Sequence, residues 1–221
     1  ELKAKHGCGL ASAPSGIVFC ITQSETMRVA EFLTDSGLRA DYYHADAPVD
    51  HKKRVHLAWL NGELDDVVGT IAFGMGINKP NVRYIVNWGL PSCMEVYHQE
   101  TGRGGRDGGP ADCVMFTDVR SDGDTWRSIF ELEAKGSGQS GIIPPGKLAA
   151  LTAMQDFCEA SPLDKGGQRG VCRHAALCTY FGEDQSANPE RESQTGRGGR
   201  AGGCKACDNC HQNRDSHGVG P

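Results

Sequence analysis

Between residues 16 and 117, short apolar runs alternate with amphipathic segments, a pattern that points to βαβ units and a parallel sheet. Residues 16–21 are expected to form the first, buried strand. Thr22-Gln23-Ser24-Glu25 then reads as a capping box, and Met27, Ala30 and Leu33 recur at helical spacing up to a stop at Gly37. Further strands are expected over 38–43, 66–70, 82–88 and 112–117. Helices are expected over 50–60, ending at Asn61-Gly62, and over 99–106.

The second half of the chain is looser. Its 221 residues contain 30 glycines, about twice average usage, and these cluster after residue 101. Residues 118–135 have a charged helical pattern, 136–146 (GSGQSGIIPPG) have linker composition, and 147–158 and 172–181 are short helix candidates. Residues 161–170 and 184–203 are polar and glycine-rich, and no element is assigned to them. A hydrophobic content of 38% is enough for one medium and one small domain. No run of 18 apolar residues and no signal-like start occurs, which points to a soluble, unsecreted chain with no membrane partner.

A net charge of −5 argues against a module that holds nucleic acid by bulk electrostatics, so any such contact must be local. Ten cysteines would suit a disulfide scaffold in a secreted protein. Here three crowd into Cys204-Lys205-Ala206-Cys207-Asp208-Asn209-Cys210, a spacing that reads as metal in an intracellular setting.

Gln99, Gly102, Arg103 and Arg106 fall at i, i+3, i+4 and i+7, so a helix over this segment would present both arginines on one face. Gly102, Gly104 and Gly105 make that helix a poor one, each costing about 0.8–1 kcal/mol against alanine. Two permanent guanidiniums among such glycines suit a phosphoryl-binding surface. TGRGGRDGG at 101–109 nearly recurs as TGRGGRAGG at 195–203, but the second copy lies in polar sequence with Ser193 where the first has Gln99. It reads as a flexible tract, at most an accessory nucleic-acid contact. Thr70 to Pro80 follows a strand, where open α/β sheets bind ligands, and Gly74 and Gly76 permit close backbone approach. No Gly-Lys-Ser/Thr loop is present.

Together these segments resemble the second RecA-like domain of a superfamily-2 helicase of the RecQ family. Gln99-x-x-Gly102-Arg103-x-Gly105-Arg106 is similar to motif VI and Thr70 to Pro80 to motif V; Gly16 to Cys20 resembles motif IV, and Tyr43-His44-Ala45 the family's Tyr-His-Ala stretch. Cys172-Arg173-His174, followed by Tyr180-Phe181-Gly182-Glu183, is similar to the family's zinc-domain helix. The resemblance implies an α/β fold: a RecA-like sheet flanked by helices over 16–135 and, after the 136–146 linker, a small, mostly helical zinc-binding domain over 147–212. Residues 1–15 would be a lead-in, 184–203 an insert and 213–221 a tail.

What the resemblance implies about sites is specific. Arg106 would be the arginine finger toward ATP on a separate domain, with Arg103 and Gln99 as partners. Thr70, Gly74, Gly76 and Asn78 would couple nucleotide to the DNA backbone. Cys172, Cys204, Cys207 and Cys210 would hold a structural Zn²⁺. ATP with Mg²⁺ would bind mostly on a first RecA-like domain, expected to precede Glu1. Departures from the pattern are Gly104 and Gly69, where alanine is usual, and His174, where arginine is. The implied activity is ATP-dependent 3′→5′ unwinding of DNA in repair, recombination and replication, in the nucleus, or in the cytoplasm of a bacterium. The other reading is a non-catalytic module that binds DNA or a protein partner.

Overall fold

The structure, a computed structural model, describes residues 14–74, 78–136, 141–160, 172–183 and 207–208. Five strands form one parallel sheet in the order β2-β3-β1-β4-β5: β1 Ser15–Cys20, β2 Ala40–Tyr43, β3 Asp66–Gly69, β4 Val82–Trp88 and β5 Asp112–Phe116. The helices are α1 Gln23–Asp35, α2 Val49–Leu60, α3 Met94–Thr101, α4 Val119–Gly136, α5 Pro145–Glu159 and α6 Arg173–Tyr180, with a 3₁₀ turn at Ile71–Gly74. The parallel sheet flanked by helices that the alternation predicts is therefore present. The chain divides into two compact units, Glu1–Met154 and Gln155–Pro221.

Both sheet faces are covered, as a parallel sheet requires. On one face Ile17, Phe19, Val67 and Ile85 pack with Val55 and Trp59 of α2. On the other, Val18, Cys20 and Val68 pack with Ala30 of α1. The capping box forms as read: the Glu25 N–H donates to Thr22 Oγ1 at 3.3 Å and the Thr22 N–H to Glu25 Oε2 at 3.0 Å. Of the expected apolar stripe of α1, Ala30 and Leu33 pack on the sheet and Met27 does not. Thr26 and Ala30 are buried, while Met27 is exposed.

Two glycines set how closely the layers approach. A Cβ on Gly16 would lie 1.8 Å from Tyr84 Cε2, so the tyrosine ring occupies the space a side chain would take. A Cβ on Gly69 would lie 2.8 Å from Phe73 Cβ. Gly69 thus admits Phe73, which is 1% exposed and stacks edge-on against Tyr43 and Trp59. Lys79, missed in the sequence, is buried and donates to the carbonyls of Trp59 (2.8 Å) and Leu60 (3.1 Å), so it caps the C-terminus of α2 with a positive charge.

Candidate functional site

The helix expected over residues 99–106 lies earlier in the chain. α3 runs Met94–Thr101, and the glycine-arginine stretch follows it as a series of turns. Ending the helix there avoids three helical glycines, and Gly105 then takes φ +62°, a region glycine enters without penalty. Its N–H donates to the Val82 carbonyl at 2.9 Å, and a Cβ there would meet the Gly109 oxygen at 2.4 Å. The Asp107 N–H donates to Pro80 O, and its carboxylate takes a two-pronged bond from Arg83 at 3.0 and 2.5 Å. That pairing holds Asp107 down at about 2.

The turns place the two arginines differently instead of on one face. Arg106 is exposed; its Nε donates to Gly102 O at 3.1 Å and its guanidinium reaches Asn78 Oδ1 at 3.4 Å. Arg103 is 6% exposed, and its Nε has no acceptor. Burial first, and Arg106 second, push its guanidinium below its ordinary value. Arg103, Arg106 and Lys79 line one narrow crevice together with Ile17, Trp59 and Val82. Three cationic residues line this crevice, and of them Arg106 is the one whose guanidinium is exposed. Gln99 lies on the exposed side of α3, with no hydrogen bond to either arginine.

The residues expected around the nucleotide-coupling loop separate. Asn78 joins the arginines near the start of β4, whereas Thr70 lies at the opposite, C-terminal ends of the strands. Gly74 closes the 3₁₀ turn, and Gly76 lies outside the described residues. Thr70 borders a second, shallow cleft of about 50 Å³ that also takes in Cys20, Asn87, Leu90, Glu100 and Trp126. Its position beside β1, where the strand order reverses, is the crevice at which open α/β sheets bind ligands.

Sequence reasoning passed over the polar floor of this cleft. Asn87 Nδ2 donates to Glu100 Oε2 at 2.6 Å, and both residues are buried. Burial raises the Glu100 carboxyl to about 8 against the opposing pull of Asn87 and Arg103. The available signal was Asn87 itself, a polar residue in a strand otherwise rich in β-branched and aromatic side chains.

In the second unit Cys172 is the N-cap of α6 rather than a residue within it. Its sulfur lies 3.9 Å from that of Cys207. A disulfide would need about 2.0 Å, whereas two thiolates each about 2.3 Å from a tetrahedral zinc stand about 3.8 Å apart. The pair therefore fits two corners of such a site. Cys204 and Cys210 lie outside the described residues, as does the 195–203 tract. Arg173 ties the loop to the helices: its Nε donates to Asp208 at 2.6 Å, and it also bonds the Phe157 carbonyl and covers the Phe157 ring. Cys178 is buried on α6, away from the pair in sequence.

Comparison with known proteins adds an independent line. Residues 6–108 match the family described as helicase conserved C-terminal domain, and residues 122–211 match RecQ zinc-binding. The chain is 48% identical over 169 residues to ATP-dependent DNA helicase Q-like 2 of Arabidopsis thaliana, covering 76% of this chain and 21% of that protein. It is 39% identical over 171 residues to ATP-dependent DNA helicase RecQ of Pasteurella multocida, covering 77% of this chain and 25% of that one. Among solved structures, E. coli DEAD-box protein SrmB bound to a regulator of ribonuclease activity matches with a TM-score of 0.46 and 20% identity, covering 54% of this chain and 71% of that chain. The chain thus spans about a fifth to a quarter of the length of these curated relatives.

Proposed function

Because this chain belongs to the RecQ family of superfamily-2 helicases, carrying its helicase C-terminal domain and zinc-binding region, we propose that it supplies the arginine half of the ATPase cleft in an ATP-dependent 3′→5′ DNA helicase. The observation that carries this reading is the clustering of Arg103, Arg106 and Lys79 along one crevice, with the Arg106 guanidinium exposed at its edge. Arg106, exposed and steadied by Gly102 and Asn78, is the finger toward the transferring γ-phosphoryl group of ATP–Mg²⁺ held on a partner domain. Arg103, buried behind it, adds a fixed positive charge, and Gln99 contacts the nucleotide from the exposed side of α3. Thr70, with Gly74, Gly76 and Asn78 in the loop after β3, contacts the DNA backbone and couples it to the nucleotide.

In the second unit, Cys172, Cys204, Cys207 and Cys210 would hold a structural zinc, a closed tetrahedral centre that staples a small domain and performs no reaction itself. The 3.9 Å sulfur separation supports that assignment. The domain boundaries follow the same reading: a RecA-like domain over 16–135, a linker over 136–146 and a zinc domain over 147–212. The setting is DNA repair, recombination and replication in a nucleus, or in a bacterial cytoplasm. Among the described residues no helix is long and apolar enough to cross a membrane.

The test is Arg106→Ala in a protein that joins this region to its ATP-binding domain. Arginine fingers contribute on the order of 10³–10⁵ in rate, so ATP turnover should collapse while nucleotide binding persists. Near-normal DNA-stimulated hydrolysis would overturn the assignment.

A further inference from the structure

Asp107 directly follows Arg106, and a carboxylate beside a guanidinium competes with any phosphate for it. In the structure both oxygens of Asp107 are engaged elsewhere. Oδ1 accepts from Arg83 Nη1 at 3.0 Å and from the Gly109 N–H at 2.9 Å, and Oδ2 accepts from Arg83 Nη2 at 2.5 Å. Guanidinium and carboxylate thus meet fork on fork, a strong and directional form of ion pair. The Arg106 side chain points to other partners, donating to Gly102 O and reaching Asn78.

Because Arg106 is exposed, the backbone on either side of it sets where its guanidinium stands. On the N-terminal side the Gly105 N–H donates to Val82 O at 2.9 Å, and on the C-terminal side the Asp107 N–H donates to Pro80 O at a longer 3.3 Å. The Arg83 fork reinforces the longer of these two tethers. Both tethers and the fork end on residues 80–83, so the flanks of Arg106 are stapled to one short stretch of chain. Gly109 leaves room for the fork to close: a Cβ there would lie 3.0 Å from Asp107 Oδ1 and 3.1 Å from Arg83 Cζ.

We propose that Arg83 is a positioning residue for Arg106: it draws the Asp107 carboxylate onto β4 and so keeps the neighbouring guanidinium available to the transferring phosphoryl group. This role rests on Arg106 being the finger proposed above. The hydrogen bond from Arg83, foremost, holds the Asp107 carboxyl at about 2, so the anion that must be kept aside persists at neutral pH. Without Arg83 that carboxylate is one residue from Arg106 with its charge unanswered, and pairing between the two would neutralise the finger and turn it from the phosphate. Arg83 itself faces Asp107 and not the nucleotide, so its loss acts on the transition state more than on ATP binding.

The experiment is DNA-stimulated ATP hydrolysis by a protein that joins this region to its ATP-binding domain, with Arg106→Ala measured in parallel. Arg83→Gln should lower kcat about 10–100-fold, the scale of a finger misplaced by about 1 Å, with the KM for ATP within about twofold of the parent's. Adding Asp107→Asn keeps an oxygen for the Gly109 N–H but removes the charge, and should restore kcat about fivefold or more. A purely structural role for the pair predicts instead that the double variant is no better than the single. Arg83→Lys keeps a charge without the fork, should lose about threefold or more, and carries the test should Arg83→Gln misfold. Parent-like kcat in Arg83→Gln or Arg83→Lys, no recovery on adding Asp107→Asn, or a loss confined to KM would overturn the proposal. Collapse of Arg106→Ala beside any of those outcomes leaves the ATPase reading standing, whereas near-normal turnover by Arg106→Ala removes both.

Discussion

Tyr84 donates its hydroxyl to Asp66 across an intervening strand, directly above Gly16. Gly16 of β1 is in register with Asp66 of β3 on one side and Tyr84 of β4 on the other, and only the missing side chain lets the two meet. Burial, with the Asp66 charge next, raises the Tyr84 phenol far above its ordinary value, so it remains a donor at every pH the fold survives. Gly16→Ala places a methyl where the Tyr84 ring lies and should destabilise the protein by about 1–3 kcal/mol, the usual range for overpacking. Urea denaturation reads this directly. A pairing of Gly16→Ala with Tyr84→Ala that recovers part of the loss would identify the ring as the cause, and strict additivity would count against it.

Lys79 joins the loop after β3 to the C-terminus of α2. Its ammonium serves the carbonyls of Trp59 and Leu60 and lies 5.2 Å from the Trp59 ring centroid. Burial pulls its pKa down, against a smaller opposing effect of Asp65, and its nitrogen acts as the donor in both bonds. Lys79→Met keeps the stem and removes the donors, and should cost about 1–3 kcal/mol from carbonyls left unpaired. The expected readouts are a lower Tm and a shifted Trp59 fluorescence maximum. An unchanged Tm would show that water replaces the ammonium.

Much of this architecture was legible because strands bury both faces and so read as apolar runs. The fourth strand was placed to the residue, and the first and third to within one. The misplaced element was α3, and the cause is physical. What fixes the path after Thr101 is the Gly105 N–H reaching Val82 O and Asp107 reaching Arg83, contacts between residues some twenty positions apart that no local spacing shows. Arg103 and Arg106 were picked out by residue type, but burial of one and exposure of the other depends on those turns. Glu100 was invisible for a similar reason: its burial is set by how α3 lies on β4.

Glu100 gives the fold a pH dependence of definite sign. Its carboxyl is raised from 4.5 to about 8, so the folded state binds a proton the unfolded chain has released. Its contribution is present in full below pH 4.5 and is lost as pH rises toward 8. Asp107 acts oppositely: held at about 2 by Arg83, it stabilises above about 3.8, and that support disappears as pH falls toward 2. Denaturation midpoints for Glu100→Gln should accordingly vary less between pH 5 and 8 than those of the parent, and Asp107→Asn should remove only acid sensitivity. A Glu100→Gln profile parallel to the parent's would show that the carboxyl is already ionised when buried.

Among the described cysteines, geometry brings one pair close enough to share a metal. Cys172 and Cys207 are that pair, 3.9 Å apart at sulfur, whereas Cys178 is buried within α6 and Cys20 lies in the sheet with its thiol raised to about 12. Elemental analysis of the purified chain should find one zinc, and Cys172→Ser or Cys207→Ser should abolish it, while Cys178→Ser leaves it in place. Arg173→Ala retains every sulfur but removes the bonds to Asp208 and Phe157 that hold the Cys207 loop against α6. Loss of such supporting contacts usually costs about 10–100-fold in metal affinity, so this variant should yield zinc to a chelator faster and at lower concentration than the parent. Equal release rates would mean that the thiolates alone define the site and that Arg173 serves only the packing of Phe157.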